Sequence, residues 1–186
     1  ATTPPEDSRA KGQISATAHR EVKRLINAWS FNQKMLHRDG RVERGKLIIA
    51  TLTLPAMQKH SDTDIKRKPF RAFIQWLINN GYKNWLWRAE VQENDNLHFH
   101  LILDKYLDKD VLRDKWNALL EKFGGYVSEF ESKYEHRDPN STDIHEARYE
   151  SNVEEYCAKY CAKEDDQKED GTPKRSIEGR VWGRSE

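Results

Sequence analysis

Between Tyr82 and Leu103 the chain carries two runs rich in aromatic, leucine and β-branched residues, separated by the polar tetrapeptide Glu93-Asn94-Asp95-Asn96. That pattern predicts a β-hairpin with strands at about 82–92 and 97–103. The second run, Leu97-His98-Phe99-His100-Leu101-Ile102-Leu103, places two histidines one residue apart. Successive side chains of a strand point to opposite faces, so both imidazoles share one face while Phe99 anchors the other in a core. In the first run Trp85, Trp87 and Ala89 alternate with Leu86, Arg88, Glu90 and Gln92, which puts Glu90 and Gln92 on one face. If Gln92 pairs with His98, Glu90 lies opposite His100. Glu90, His98 and His100 then form a ligand set suited to Mn²⁺, Mg²⁺ or another divalent ion, with Gln92 in reserve.

The rest of the chain supplies helices and further strands. Val22, Leu25, Ile26, Trp29 and Leu36 recur at helical spacing over 15–36, and Lys46 to Leu54 reads as a buried strand closed by Pro55. Ile65, Phe70, Phe73, Ile74, Leu77 and Ile78 predict a helix over 62–79, with Pro69 in its first turn. Residues 108–123 give another helix stopped by Gly124-Gly125, Tyr126 to Tyr134 reads as an alternating strand, and 142–148 as an edge strand. Ser151-Asn152-Val153-Glu154 resembles a capping box opening a helix to about Lys163. The order predicts an α+β fold, an antiparallel β-sheet with packed helices, although strand-helix-strand units could make part of the sheet parallel. One domain over 1–186 is expected, with a core at about 46–164, a flexible leader over 1–14 and a C-terminal extension over 165–186.

With 32 basic and 31 acidic residues, the net charge of +1 neither demands nor excludes a nucleic-acid partner, so the distribution of charge must decide. Basic residues cluster at 19–24, 38–46, 66–71 and 174–184, and acids at 143–155 and 164–170. Lys66, Arg67, Lys68 and Arg71 are the candidate DNA-phosphate contacts. No stretch approaches the roughly 20 apolar residues of a membrane span, and the opening residues lack signal-peptide character, so an intracellular, cytoplasmic protein without a membrane partner is expected. The first residue is Ala, which reads as an excised domain or processed product. The glycine fingerprints of dinucleotide-binding and P-loop proteins are absent from the sequence. Cys157 and Cys161, four apart, read as small packed residues in a reducing compartment.

A second chemical element is the tandem Tyr156-Cys157-Ala158-Lys159-Tyr160-Cys161-Ala162-Lys163. On a helix, four residues return nearly to the same face, so Tyr156 and Tyr160 would be stacked neighbours with a lysine three residues beyond each. A phenol, with a pKa near 10, becomes a useful nucleophile only where a cation favours its anion, which lysine or a metal can supply.

Together, His98-Phe99-His100 and Tyr156-x-x-Lys159-Tyr160-x-x-Lys163 resemble the HUH endonuclease superfamily, and the tandem tyrosine is most similar to its two-tyrosine rolling-circle replication initiators. Thr51-Leu52-Thr53-Leu54-Pro55 resembles the first motif of that family. The resemblance spans roughly 46–164 and implies a ferredoxin-like or RRM-like fold with the metal site on the central hairpin strand. It further implies a divalent metal, Mn²⁺ or Mg²⁺, held by Glu90, His98 and His100. Tyr156 or Tyr160 would attack single-stranded DNA at a replication origin, leaving a 5′-phosphotyrosine link and a free 3′-hydroxyl. Lys159 and Lys163 would position phosphate or stabilise the phenolate. Host polymerase and helicase are the implied partners, in a cell infected by a phage or carrying a mobile element. A transposase or relaxase would share this chemistry. A non-catalytic single-stranded nucleic-acid-binding module using Trp85 and Trp87 for stacking, and a zinc hydrolase activating water, are the alternatives from other classes.

Overall fold

The computed structural model describes residues 14–38, 47–147 and 167–186. Five strands, β1 (Ile48–Leu52), β2 (Trp85–Val91), β3 (Leu97–Leu103), β4 (Thr142–Glu146) and β5 (Trp182–Arg184), form one sheet in the order β4-β1-β3-β2-β5. Among the described residues every strand pairing is antiparallel, against the parallel alternative. Leaving β5 aside, the connectivity is a split β-α-β arrangement, with helices between β1 and β2 and between β3 and β4. The helices are α1 (Ala16–Arg38), α2 (Asp62–Ile65), α3 (Arg71–Asn79), α4 (Lys109–Gly124) and α5 (Tyr126–Tyr134), and a π-helical turn (Lys66–Phe70) joins α2 to α3.

Strand alternation divides the core in two. Leu52, Trp87, Ala89, Leu97, Phe99 and Leu101 face the helices α2 to α4, where Phe70 stacks on Phe99 with ring centroids 3.9 Å apart. Ile49, Leu86 and Ile102 point the other way, and Val22, Ile26 and Trp29 of α1 cover them. Helix α1 covers these residues and leaves Thr51, Arg88, Glu90, His98 and His100 of the same sheet face outside its apolar contact.

The structure corrects the sequence reading in three places. Tyr126–Tyr134 is helix α5 and not a strand. Tyr126, Phe130 and Tyr134 are four apart, a spacing that satisfies both periods, and the burial of the adjacent pair Tyr126 and Val127 decides for the helix. Gly125, at φ +64°, closes α4, and the Glu121 carboxylate then caps the next helix by accepting from Val127 N and Ser128 N. Pro69 sits inside the helical segment rather than in its first turn. Proline has no N–H to donate, and the π turn, with Arg71 N reaching back to Lys66 O, carries the helix past it. The third correction is the hairpin register. Glu90 pairs with His98 and Arg88 with His100, two residues from the expected pairing. A shift of two preserves the face, so Glu90 stays on the histidine side. The predicted helix over 151–163, with Cys157 and Cys161, lies outside the described residues.

The C-terminal segment is part of the sheet. β5 pairs with β2, and Gly183 permits the close approach, since a Cβ there would lie 2.6 Å from Trp87 Nε1. Farther back, Arg175 donates from Nη1 (2.7 Å) and Nη2 (2.9 Å) to Asp62, which is 2 % exposed and also accepts from Gln58 Nε2 and Glu178 N. Burial alone would raise the pKa of Asp62. The hydrogen bonds from Arg175, Gln58 and Glu178 outweigh it and hold the carboxyl below its ordinary value. Arg175→Ala is expected to cost about 2 kcal/mol at pH 7, because it strands a buried carboxylate while Arg175 itself is partly solvated. The loss should appear as a fall in Tm of roughly 4–8 °C. A depressed carboxylate pKa contributes stability above the unfolded value that disappears as pH falls through the folded one. The difference between Arg175→Ala and the wild type should therefore shrink below about pH 4, the ordinary carboxylate range, in thermal melts.

Candidate functional site

Strand β3 is bonded to β1 on one side and β2 on the other, so the histidine backbone is held by two ladders. His98 and His100 project from the same face with ring centroids 4.4 Å apart, edge to face. Glu90, diagonal to His100 across the hairpin, brings Oε2 to 3.0 Å from His100 Nε2. From β1, Thr51 Oγ1 lies 3.4 Å from His100 Nδ1, so one hydroxyl can fix the His100 tautomer while the other ring nitrogen faces Glu90. Gln92, the reserve ligand, follows the end of β2, where its N–H closes the turn on Asn96 O at 2.9 Å.

Burial, and then the charge of His100, depress the His98 pKa to about 3. His98 is therefore a neutral imidazole at any physiological pH, the form that binds metals. Its Nδ1 is buried with no hydrogen-bond partner among the described residues. Burial acts to raise the pKa of Glu90, but the hydrogen bond and charge of His100, with the charge of Arg88, hold it below the ordinary value, so the carboxyl is an anion.

Arg88 is the member of this group that the sequence reading missed. It is 7 % exposed, lies directly across from His100, and brings Nε to 3.6 Å from Glu90 Oε1. Nε and Nη1 make no hydrogen bond among the described residues. Its even place in β2, in step with Glu90, was the available signal.

Two imidazoles and one carboxylate are a donor set that fits a divalent ion, and Nδ1 of His98, without a hydrogen-bond partner among the described residues, is a buried polar atom in want of one. As the side chains stand, Glu90 is tied to His100, and no group of three His, Cys, Asp or Glu side chains is arranged around one point among the described residues. Lys66, Arg67, Lys68 and Arg71 are not brought to this face. They lie on the helical segment packed against the opposite side of the sheet. There Lys66 Nζ donates to the carbonyls of Glu178 and Arg180, and Lys68 pairs with Asp64 at 3.3 Å. Tyr156, Lys159, Tyr160 and Lys163 fall outside the described residues. Among the described residues, no helix is long and apolar enough to cross a membrane.

Comparison with known proteins adds a family. The chain is similar to the crystal structure of the hypothetical protein ORF119 from Sulfolobus islandicus rod-shaped virus 1, at 16% identity over 75% of this chain and 90% of that one. The TM-score is 0.42, too low to carry an argument. No curated protein matches. The family model for the replication-associated protein ORF2 matches residues 48–165, from the first residue of β1 through the hairpin and the tyrosine tandem. That is more than half of the sequence, and it includes the strands that carry Thr51, Arg88, Glu90, His98 and His100. The chain belongs to this ORF2 family of replication-associated proteins, and its role is in DNA replication.

Proposed function

We propose that this protein is a metal-dependent endonuclease and strand transferase that nicks single-stranded DNA at a replication origin and rejoins it through a 5′-phosphotyrosine link, beginning and ending rolling-circle replication. The observation that carries the reading is the grouping of Glu90, His98 and His100 on one face of the central strand in a chain of a replication-associated family. Glu90, His98 and His100 would hold the ion. Bound there, Mn²⁺ or Mg²⁺ would polarise the scissile phosphate and offset charge growing on its oxygens.

The remaining work falls to side chains. His98 stays unprotonated and keeps a lone pair available. With the ion in place of the Glu90–His100 hydrogen bond, Thr51 would accept from His100 Nδ1 and so turn the Nε2 lone pair to the ion, and Arg88 helps to keep Glu90 ionised and aligned. Tyr156, or Tyr160, attacks phosphorus: a phosphorus–oxygen bond forms to the phenol, which gives up its proton to solvent, and the bond to the 3′-oxygen breaks, that oxygen taking a proton from solvent to leave as the 3′-hydroxyl. Lys159 and Lys163 stabilise the phenolate. Because one phosphodiester replaces another, the step is reversible without ATP, and the second tyrosine can cut again while the first holds an end.

The test uses a pool of 3′-end-labelled single-stranded oligonucleotides with Mn²⁺. The expected result is label migrating with the protein on a denaturing gel, lost on chelation. A free 5′-phosphate with no protein adduct would show water to be the nucleophile, and binding without any cleavage would make the domain a non-catalytic module.

A further inference from the structure

A groove of about 420 Å³ lies on the sheet face opposite the histidines, between the helical segment around Phe70 and the C-terminal stretch Glu178–Arg180. Its floor is apolar, formed by Ile74 and by Phe70 and Trp87, which are 3 % and 9 % exposed and meet edge to face at 5.1 Å. Its rim is cationic. Arg67 and Arg71 stand exposed on the helical side and Arg180 on the other, and no acidic side chain pairs with any of the three among the described residues. Elsewhere the partly exposed Arg113 and the exposed Arg137 and Arg184 are matched with carboxylates, while Arg20 and Arg24 of α1 have no acidic partner among the described residues. The one acidic residue lining the groove, Glu178, accepts from Thr63. The wall opposite the helix is fastened, because Lys66 Nζ donates to the carbonyls of Glu178 and Arg180 on either side of Gly179, itself at φ +70°.

An aromatic floor beneath unpaired cations matches the chemistry of a nucleotide whose base is unpaired: apolar surface for the base and guanidinium for the phosphates. Stacked and paired bases of a duplex could not enter a concavity of this size. We infer that this groove is a second DNA site, taking one unpaired nucleotide of a single strand with its flanking phosphates, on the far side of the sheet from the nicking site. The inference rests on the reading of the protein as one that acts on single-stranded DNA, and not on its chemistry. A strand engaging both sites would pass around the sheet edge formed by β5, so the groove would hold DNA at a fixed distance from the cut.

The probe is 5′-fluorescein-labelled oligothymidylate in EDTA, followed by anisotropy. Arg67→Ala/Arg71→Ala/Arg180→Ala, all at exposed positions, should weaken binding about tenfold or more and flatten the log–log salt dependence by about 2, with the wild-type melting temperature unchanged. Oligothymidylate carrying 5-iodouracil should crosslink to the peptides containing Phe70 or Trp87, and should still do so in His98→Ala/His100→Ala. Unchanged affinity in the triple variant, or crosslinks confined to β3, would overturn the inference. Displacement of the oligonucleotide by polyglutamate at equal charge concentration would also overturn it and point to an acidic protein partner. Failure of the adduct assay with groove crosslinks intact would sink the nicking chemistry alone.

Discussion

Replacing both Tyr156 and Tyr160 by phenylalanine is expected to abolish the covalent protein–DNA adduct, a loss of at least about 10⁴-fold, because no other group in the scheme can form the phosphoester bond. Each single replacement should leave an adduct, formed by the remaining tyrosine. The two singles need not be equal: Tyr156 is expected to dominate the first cut, and a two-site substrate should expose the difference as a defect in joining. Phenylalanine keeps the ring and removes only the hydroxyl, so oligonucleotide affinity should stay within about twofold. An adduct that persists in the double variant would disprove the tyrosine assignment while leaving the histidine site untouched.

His98→Ala or His100→Ala should each reduce adduct formation by about 10³-fold at limiting Mn²⁺, equivalent to about 4 kcal/mol of lost transition-state stabilisation. The two changes should differ in stability. His98 is neutral and its Nδ1 has no partner among the described residues, so its removal should cost little beyond packing. His100 is joined to both Glu90 and Thr51, so its removal also leaves Glu90 a half-buried carboxylate with one fewer donor. Isothermal titration with Mn²⁺ in the absence of DNA provides a readout independent of catalysis: weaker binding in both variants is expected. Wild-type Mn²⁺ affinity in His98→Ala would remove His98 from the ligand set.

Much of the fold was legible because hydrophobic period and burial agree. The alternation of β2 and β3 and the 3.6-residue stripe of α1 report directly which side chains leave water. Which residues share the histidine face was equally legible, since face depends only on parity. Register was not. The turn closes between Gln92 and Asn96 with Asp95 at φ 64°, and a polar tetrapeptide does not by itself declare where its hydrogen bonds begin. Tyr126–Tyr134 failed because an aromatic every fourth residue fits two periods. The Asp62–Arg175 pair joins residues 113 positions apart, and such a contact leaves no local signature. Arg88 was legible by parity but overlooked, because a single arginine in a strand is usually an exposed one.

One consequence of the sheet order concerns motion. Strand β3 has neighbours on both sides, and its odd residues sit in a core where Leu97, Phe99 and Leu101 are fully inaccessible. Amides of β3 should therefore be among the last in the molecule to exchange with deuterium, opening only when the whole domain unfolds. The histidines then stand on the least yielding part of the protein, and accommodation of a DNA strand must come from movement at the periphery, with β3 as the fixed reference.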